Sequence, residues 1–384
     1  MPRTKAKLIE LCRRDRLLNS AAQYAYLNVI RPPAWWERGA DGREPVRYPA
    51  DGPVLPVKAA FICDEMTWID LAPQCRSIFL MPGSWREQME RFQPDLFFCE
   101  SAWSGIPPAE GCWRGRIYRN RSVLFENRRI LLEILRYCRE RGIPTVFWNK
   151  EDPPENLDSR YDFIDTAVRF DHVFTSAEEC VEIYQALGCG HVGVLPFMVN
   201  TAVYYPAPGP AREGDRVLFA GSWFGDQDAR CQATRALFDY VLGKGMGLDI
   251  YDRHSESVEE RFSFPEEYAP YLHPSVPTDR VPALMRRYGM ALNVNTETAS
   301  RTMFSRRALY LAACGLTVLS NPSAGMRAAL GGEPVDLPGG GQALLIRPDP
   351  ALVREKYSAA GAFRRILDAV PGLAAAEPVG AAGG

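Results

Sequence analysis

Short apolar runs, each closed by polar residues, recur along this chain from Val57 onward. VKAAFIC (57–63), SIFLM (77–81), DLFFCE (95–100), TVFWNKED (145–152), HVFTS (172–176) and HVGVLPF (191–197) carry the β-branched and aromatic residues that favour strands. Between them the period lengthens. Leu124–Arg141 places Leu131, Ile134, Leu135 and Cys138 on one helical face, and Gly142 closes it. Residues 164–170 and 177–187 predict two more helices. Strand and helix thus alternate, which implies a parallel sheet covered on both faces. A Pro/Gly-rich stretch, NTAVYYPAPGPAREGD (200–215), then reads as a linker. A second series follows: strand VLFAG (217–221), helix 232–242, strand GLDIYD (247–252), helix 279–288 and strand MALNVN (290–295). It continues with helix Ala308–Cys314, strand Leu316–Leu319, strand ALLI (343–346) and a closing helix over 351–370. Two short helices, Lys5–Leu18 and Ala21–Ile30, are predicted ahead of both series. The expected organisation is an extension (1–56), two Rossmann-like α/β domains (57–203 and 204–350), a closing helix (351–370) and a disordered Ala/Gly/Pro tail (371–384).

In open parallel sheets, ligands bind beyond the carboxyl ends of the strands. In the first domain that rule selects Asp64, Glu65, Glu100, Ser101, Trp103, Asn149, Lys150, Glu151 and Asp152. In the second it selects Gly221, Ser222, Trp223, Asp252, Arg253, Asn295 and Thr296. If two such domains face each other, these ends line one cleft. A carboxylate there is a candidate base for an acceptor hydroxyl, and arginines there suit a departing phosphate. The Trp35-Trp36 pair is either a packing plug or an acceptor surface.

Composition narrows the classes. The 384 residues hold 45 Lys and Arg against 47 Asp and Glu, a net charge of −2, so no basic field points to nucleic acid. No apolar run approaches the ~20 residues of a transmembrane helix. MPRTKAKLIELCRRDRLL lacks the apolar core of a secretory signal. Ten scattered cysteines without a CxxC pair, and four histidines (His172, His191, His254, His273), show no metal-ligand spacing. That pattern predicts a cytoplasmic protein with no bound metal. There is no P-loop, and FAGSWFG is not the Gly-x-Gly-x-x-Gly of a dinucleotide fold, which argues against an oxidoreductase.

One stretch gathers the candidate chemistry. In FSRRALYLAACGLTVLSN (304–321), Ser305, Arg306 and Arg307 stand before an apolar helix, and Gly315 sits where the helix must turn left-handed. A helix N-terminus with a hydroxyl and two guanidiniums suits a diphosphate; it is equally a capped helix with solvated arginines.

This stretch resembles the donor-site segment of GT-B glycosyltransferases, most closely the CgeB-like (spore-coat-maturation) group, which reads roughly F-S-R-R-x-x-E-x-x-A-C-G. FICDEMTWIDLAP, MPGSWREQMERFQPDLFFCESAW, GIPTVFWNKEDP, FDHVFTSAEECVEIYQALG, VLPF, RVLFAGSWFGD and LDIYDR resemble the matching segments in the same order, over about residues 57–325. The resemblance implies a GT-B fold, two Rossmann-like domains whose sheets face an interdomain cleft. It also implies a metal-independent transferase of hexosyltransferase type acting on a nucleoside diphosphate sugar, with UDP the default. By similarity Gly221 and Ser222 lie near the phosphates, and Asp252 and Arg253 near the base or ribose. Val276 touches the base through its backbone, and Ser305, Arg306 and Arg307 meet the diphosphate. Glu65, Glu151 and Asp152 are the candidate bases, with Arg306 neutralising the leaving group. Asp64, Glu100, Trp103, Asn149 and Lys150 are candidates for holding an acceptor hydroxyl or amine of unspecified identity. The chain departs from the pattern at Tyr310, where the family carries a ribose-binding glutamate, and at Thr302, where the wider Glu-x7-Glu signature begins. Tyr310 either contacts the ribose or packs between helix and sheet. Those departures keep a second reading open, a non-catalytic nucleotide-sugar binder or partner subunit on the same fold.

Overall fold

The computed structural model describes residues 15–40, 43–153, 161–209 and 213–374, with backbone alone at 37–40. The chain divides into two compact units. One holds the described residues up to Ser176, then Cys180–Leu195 and the chain from Phe363. The other holds Ala177–Glu179 and Pro196–Ala362. The change of unit thus falls ahead of the Pro/Gly-rich stretch, and the last helix returns to the first unit. Most of the expected Lys5–Leu18 helix and the tail beyond Leu373 and Ala374 lie outside the described residues.

Unit 1 is built on six parallel strands: β1 (Leu55–Ile62), β2 (Cys75–Phe79), β3 (Leu96–Glu100), β4 (Thr145–Asn149), β5 (His172–Thr175) and β6 (Val192–Val194). Their order is β2-β1-β3-β4-β5-β6. Every residue of β3 and β4 is buried, as expected for strands covered on both faces. Phe61, Phe97, Phe98, Phe147 and Trp148 fill the core. The helix expected from Leu124 begins only at Arg129. Asn127 is drawn out of it to bind the carbonyls of Gly115 and Tyr118, and Arg128 pairs with Glu126 and Asp165.

Unit 2 has seven strands: β7 (Arg216–Gly221), β8 (Gly247–Asp252), β9 (Leu272–His273), β10 (Met290–Asn293), β11 (Thr317–Ser320), β12 (Glu333–Asp336) and β13 (Gln342–Ile346). They run in the order β12-β13-β11-β10-β7-β8-β9. Strands β7 to β11 pair in parallel, while β12 and β13 form an antiparallel edge. The helix Arg306–Ala313 ends as its sequence predicts. Gly315 takes φ +78°, its N–H bonds the Ala312 carbonyl, and Leu316 N–H bonds that of Leu311. The helix expected over 279–288 is shorter, a 3-10 turn followed by Val281–Met285. The closing helix is two, Pro350–Tyr357 and Ala359–Asp368, parted at the extended Ser358.

The parallel strands of each sheet reverse their order between β1 and β3 in unit 1 and between β7 and β10 in unit 2. These switch points are where open α/β sheets leave a crevice beyond their strand ends.

Candidate functional site

At the unit 2 switch point the strand ends are tied together by one side chain. Asn295, just past β10, accepts the Ser305 N–H through Oδ1 at 2.8 Å, and its own N–H donates to Asn321 Oδ1 at 2.7 Å. Its Nδ2 reaches Ser320 Oγ at 3.2 Å. Asn321 Nδ2 returns a bond to the Asn295 carbonyl at 2.9 Å. The start of helix Arg306–Ala313 is therefore fixed against β10 and β11. The Ser305 N–H is spent inside the protein, so Ser305 offers a ligand its hydroxyl only.

The two arginines of that helix part company. Arg306 is buried, with its guanidinium at 3.5 Å from Met198 Sδ and over the Phe197 ring. Arg307 lies over the end of β7. A Cβ added to Gly221 would stand 2.9 Å from its Nη1 and 3.0 Å from its Nη2, so a side chain there would displace the guanidinium. Arg307 Nη1 is enclosed and has no hydrogen-bond partner among the described residues. Burial, followed by the charges of Arg230 and Arg253, lowers its pKa to about 9. Arg253 follows β8, and its N–H bonds the Gly221 carbonyl at 3.0 Å. Arg230 sits in the first turn of helix Asp228–Gly243, with Nη1 2.6 Å from Thr296 Oγ1. Among the described residues neither Arg307 nor Arg253 has an ion pair. Three guanidiniums thus converge at the ends of β7, β8 and β10, Arg230 and Arg253 close enough for their charges to act on Arg307; Ser222, next in the chain to Gly221, is buried.

Asp252 closes β8. Burial raises its pKa, and it accepts the His254 N–H at 2.9 Å, so it shapes the turn that carries Arg253. Val276 lies in the loop after the edge strand β9, half-buried. Tyr310 is 1% exposed and stacks on Tyr204 at 4.2 Å with 6° between the rings, and the Arg306 guanidinium stands 6.0 Å from its ring. Arg306 itself faces Phe197 and Met198. Thr302 Oγ1 accepts the Glu178 N–H at 2.9 Å.

Unit 1 gathers its own strand-end residues. Asp64, after β1, accepts the N–H groups of Trp103, Ser104 and Gly105 at 2.8–2.9 Å and takes Lys150 Nζ at 3.0 Å. Burial pushes its pKa up, but Lys150 and those N–H groups outweigh it, and the net shift is downward. Glu100 is wholly buried, accepting the Asp64 N–H and the Thr67 hydroxyl, with Lys150 Nζ at 3.8 Å. Lys150 also stands 3.5 Å from Glu151. Burial acts to lower the Lys150 pKa, yet Glu100, Asp64 and Glu151 raise it overall. Asp64 and Glu100 are therefore spent on structure, pinning the 101–105 loop and the strand ends.

Asp152 is held on all sides. It is wholly buried and accepts from Asn149 Nδ2, Thr175 Oγ1 and Tyr184 Oη, each at 2.8 Å. Such a carboxylate locks β4 to β5. Asn149 belongs to the same lock. Glu151, more than a third exposed, and Glu65, half-buried in the first turn of helix Glu65–Leu71, remain reachable. Trp103 is 36% exposed, edge-on to Tyr161 and Phe163 at 5.3 and 5.1 Å.

Arg230 is the residue that sequence reasoning missed. One signal was available: a basic residue in a helix's first turn opposes the helix dipole, which favours acids there.

No model of a known protein family matches this chain, and no curated protein matches its sequence. Among solved structures it is similar to Anabaena HepE in complex with UDP-glucose, at 11% identity over 81% of this chain and 98% of that one, with a TM-score of 0.46. It is also similar to an alpha-glucosyltransferase in complex with UDP and a mismatched 13-mer DNA (11%; 70% and 80%; 0.46) and to the S. aureus MnaA–UDP co-structure (10%; 81% and 95%; 0.40). The reading of activity therefore rests on the residues themselves.

Proposed function

We propose that the chain is a glycosyltransferase, with a nucleoside diphosphate sugar, UDP favoured, held by unit 2. Unit 1 holds an acceptor hydroxyl or amine. The observation that carries the reading is the convergence of Arg230, Arg253 and Arg307, with an enclosed Arg307 Nη1 that no group among the described residues satisfies. Like charges are brought together at a cost that an oxyanion of two or more charges removes. A diphosphate fits that charge, and the close approach over Gly221 leaves it flanked by backbone and the Ser222 hydroxyl. As the glycosidic bond to the donor breaks, negative charge grows on the leaving diphosphate. Fixed guanidiniums stabilise that charge more in the transition state than in the ground state. The same positive charge replaces a metal ion in this account. Glu151 or Glu65 takes the acceptor proton.

Isothermal calorimetry with UDP, GDP, ADP and TDP tests the reading. UDP binds and Arg307→Ala weakens it; absence of binding by all four sinks it. The binder reading is favoured by one observation: neither Tyr310 nor Thr302 presents a carboxylate for a ribose. Nucleotide binding without any donor hydrolysis or transfer would select it.

A further inference from the structure

Away from the strand ends, the N-terminal segment of unit 1 builds a cavity of about 380 Å³. Tyr26, Arg31, Trp35 and Trp36 form one wall, and Glu110 and Arg114 stand in the other, with Gly111 at its floor. The wall is preformed. Buried Arg116 binds the carbonyls of Leu27 and Arg31 through Nη2 at 2.7 and 3.0 Å, which anchors the turn that carries Arg31. Asn19 Nδ2 bonds Ser122 Oγ at 3.0 Å, pinning the preceding helix Arg16–Ala25. Trp36 is wedged on Gly111, whose φ is +98° and whose added Cβ would meet the indole at 2.7 Å.

The chemistry of the lining is specific. The Arg31 guanidinium is stacked 3.7 Å above Trp35, and Trp35 meets Trp36 edge-on at 4.7 Å. Arg31 has no ion pair or side-chain hydrogen bond among the described residues, so its N–H fork is held in place yet uncommitted. Arg114 makes one bond, to Ser104 Oγ at 3.2 Å. The buried Trp36 Nε1 has no acceptor among the described residues. Two guanidiniums against the single carboxylate of Glu110 leave the lining net positive. The volume suits a small ligand, and aromatic walls with a few fixed polar groups are what ring-bearing ligands use.

We propose that this cavity binds a small ring-bearing oxyanion, a carboxylate or phosphate monoester on a sugar-sized ring. Arg31 and Arg114 take the anion, and the indoles take the ring. The proposal stands apart from the donor reading, since its residues are distinct from the unit 2 arginines. The test follows the Trp36 indole N–H signal by NMR on the full chain, assigned from its loss in Trp36→Phe. Glucuronate and glucose 6-phosphate are titrated, with glucose as the uncharged control. Saturable shifts with one or both anions, weakened at least tenfold in Arg31→Gln and Arg114→Gln, support the proposal and tell carboxylate from phosphate. No shift with either anion overturns it, as do equal binding of glucose and unchanged affinity in both variants. UDP calorimetry on the same variants keeps the two readings separate: unchanged UDP affinity is expected, whatever the cavity does.

Discussion

Arg307 is a buried charge with no ion pair among the described residues, and that makes a stability test possible. Its pKa falls from the ordinary arginine value to about 9, so at neutral pH it stays charged and bears the cost of burial beside two like charges. Between pH 9 and the unfolded value the unfolded chain binds more protons, so stability rises with pH across that window. Arg307→Met removes the cost. The variant should melt higher than wild type at pH 7, and the gain should shrink above pH 9. The same variant should lose UDP affinity tenfold to a hundredfold, the ~1.5–3 kcal/mol of a charged hydrogen bond. Differential scanning calorimetry across pH and titration with UDP check both halves. Tyr310 gives the opposite pattern. Tyr310→Glu places a carboxylate in the Tyr204 stack and should destabilise by several kcal/mol, as uncompensated buried charge does. A stable Tyr310→Glu protein that binds UDP better would return the residue to the ribose.

At the scale of elements, Asn295 and Lys150 organise the two sets of strand ends. Asn295→Ala strips the Ser305 N–H of its acceptor and unties β10 from β11. A loss of about 1–3 kcal/mol is expected, with weaker UDP binding although Asn295 need not touch the nucleotide. Denaturant melts and calorimetry separate the two effects. Lys150→Met leaves the buried Glu100 and the Asp64 carboxylate without their cation and should cost roughly 3–5 kcal/mol. Asp64 has a depressed pKa, so its contribution is present above its unfolded value and lost as pH falls through the folded one. The acid-induced loss of stability should therefore be shallower in the variant.

Much of this level was legible in the sequence. Buried parallel strands read as unbroken apolar runs, and Gly315 announced the end of its helix. β9 and β12 were not legible, being short edge strands with polar neighbours and no alternation. Which of Arg306 and Arg307 turned toward the strand ends was also hidden. Adjacent helical residues diverge, and only the packing of Phe197, Met198 and Tyr204 decides which one turns away from the strand ends. The acidic candidates show the same limit: sequence shows a carboxylate at a strand end, not the donors that reach it, such as Asn149, Thr175 and Tyr184 at Asp152.

For the whole molecule, the account is a transferase in which arginines of unit 2 carry the charge of the departing diphosphate. Activity should then survive EDTA, and a loss restored by magnesium or manganese would contradict the charge assignment. Glu151→Gln, if Glu151 is the base, should lower transfer a hundredfold or more while leaving UDP affinity within a few-fold. The most direct measurement is calorimetric titration of UDP into wild type, Arg230→Ala, Arg253→Ala and Arg307→Ala. The account predicts saturable binding to wild type and a tenfold to hundredfold loss in each variant, with the folded state intact. UDP affinity unchanged in all three variants would contradict it.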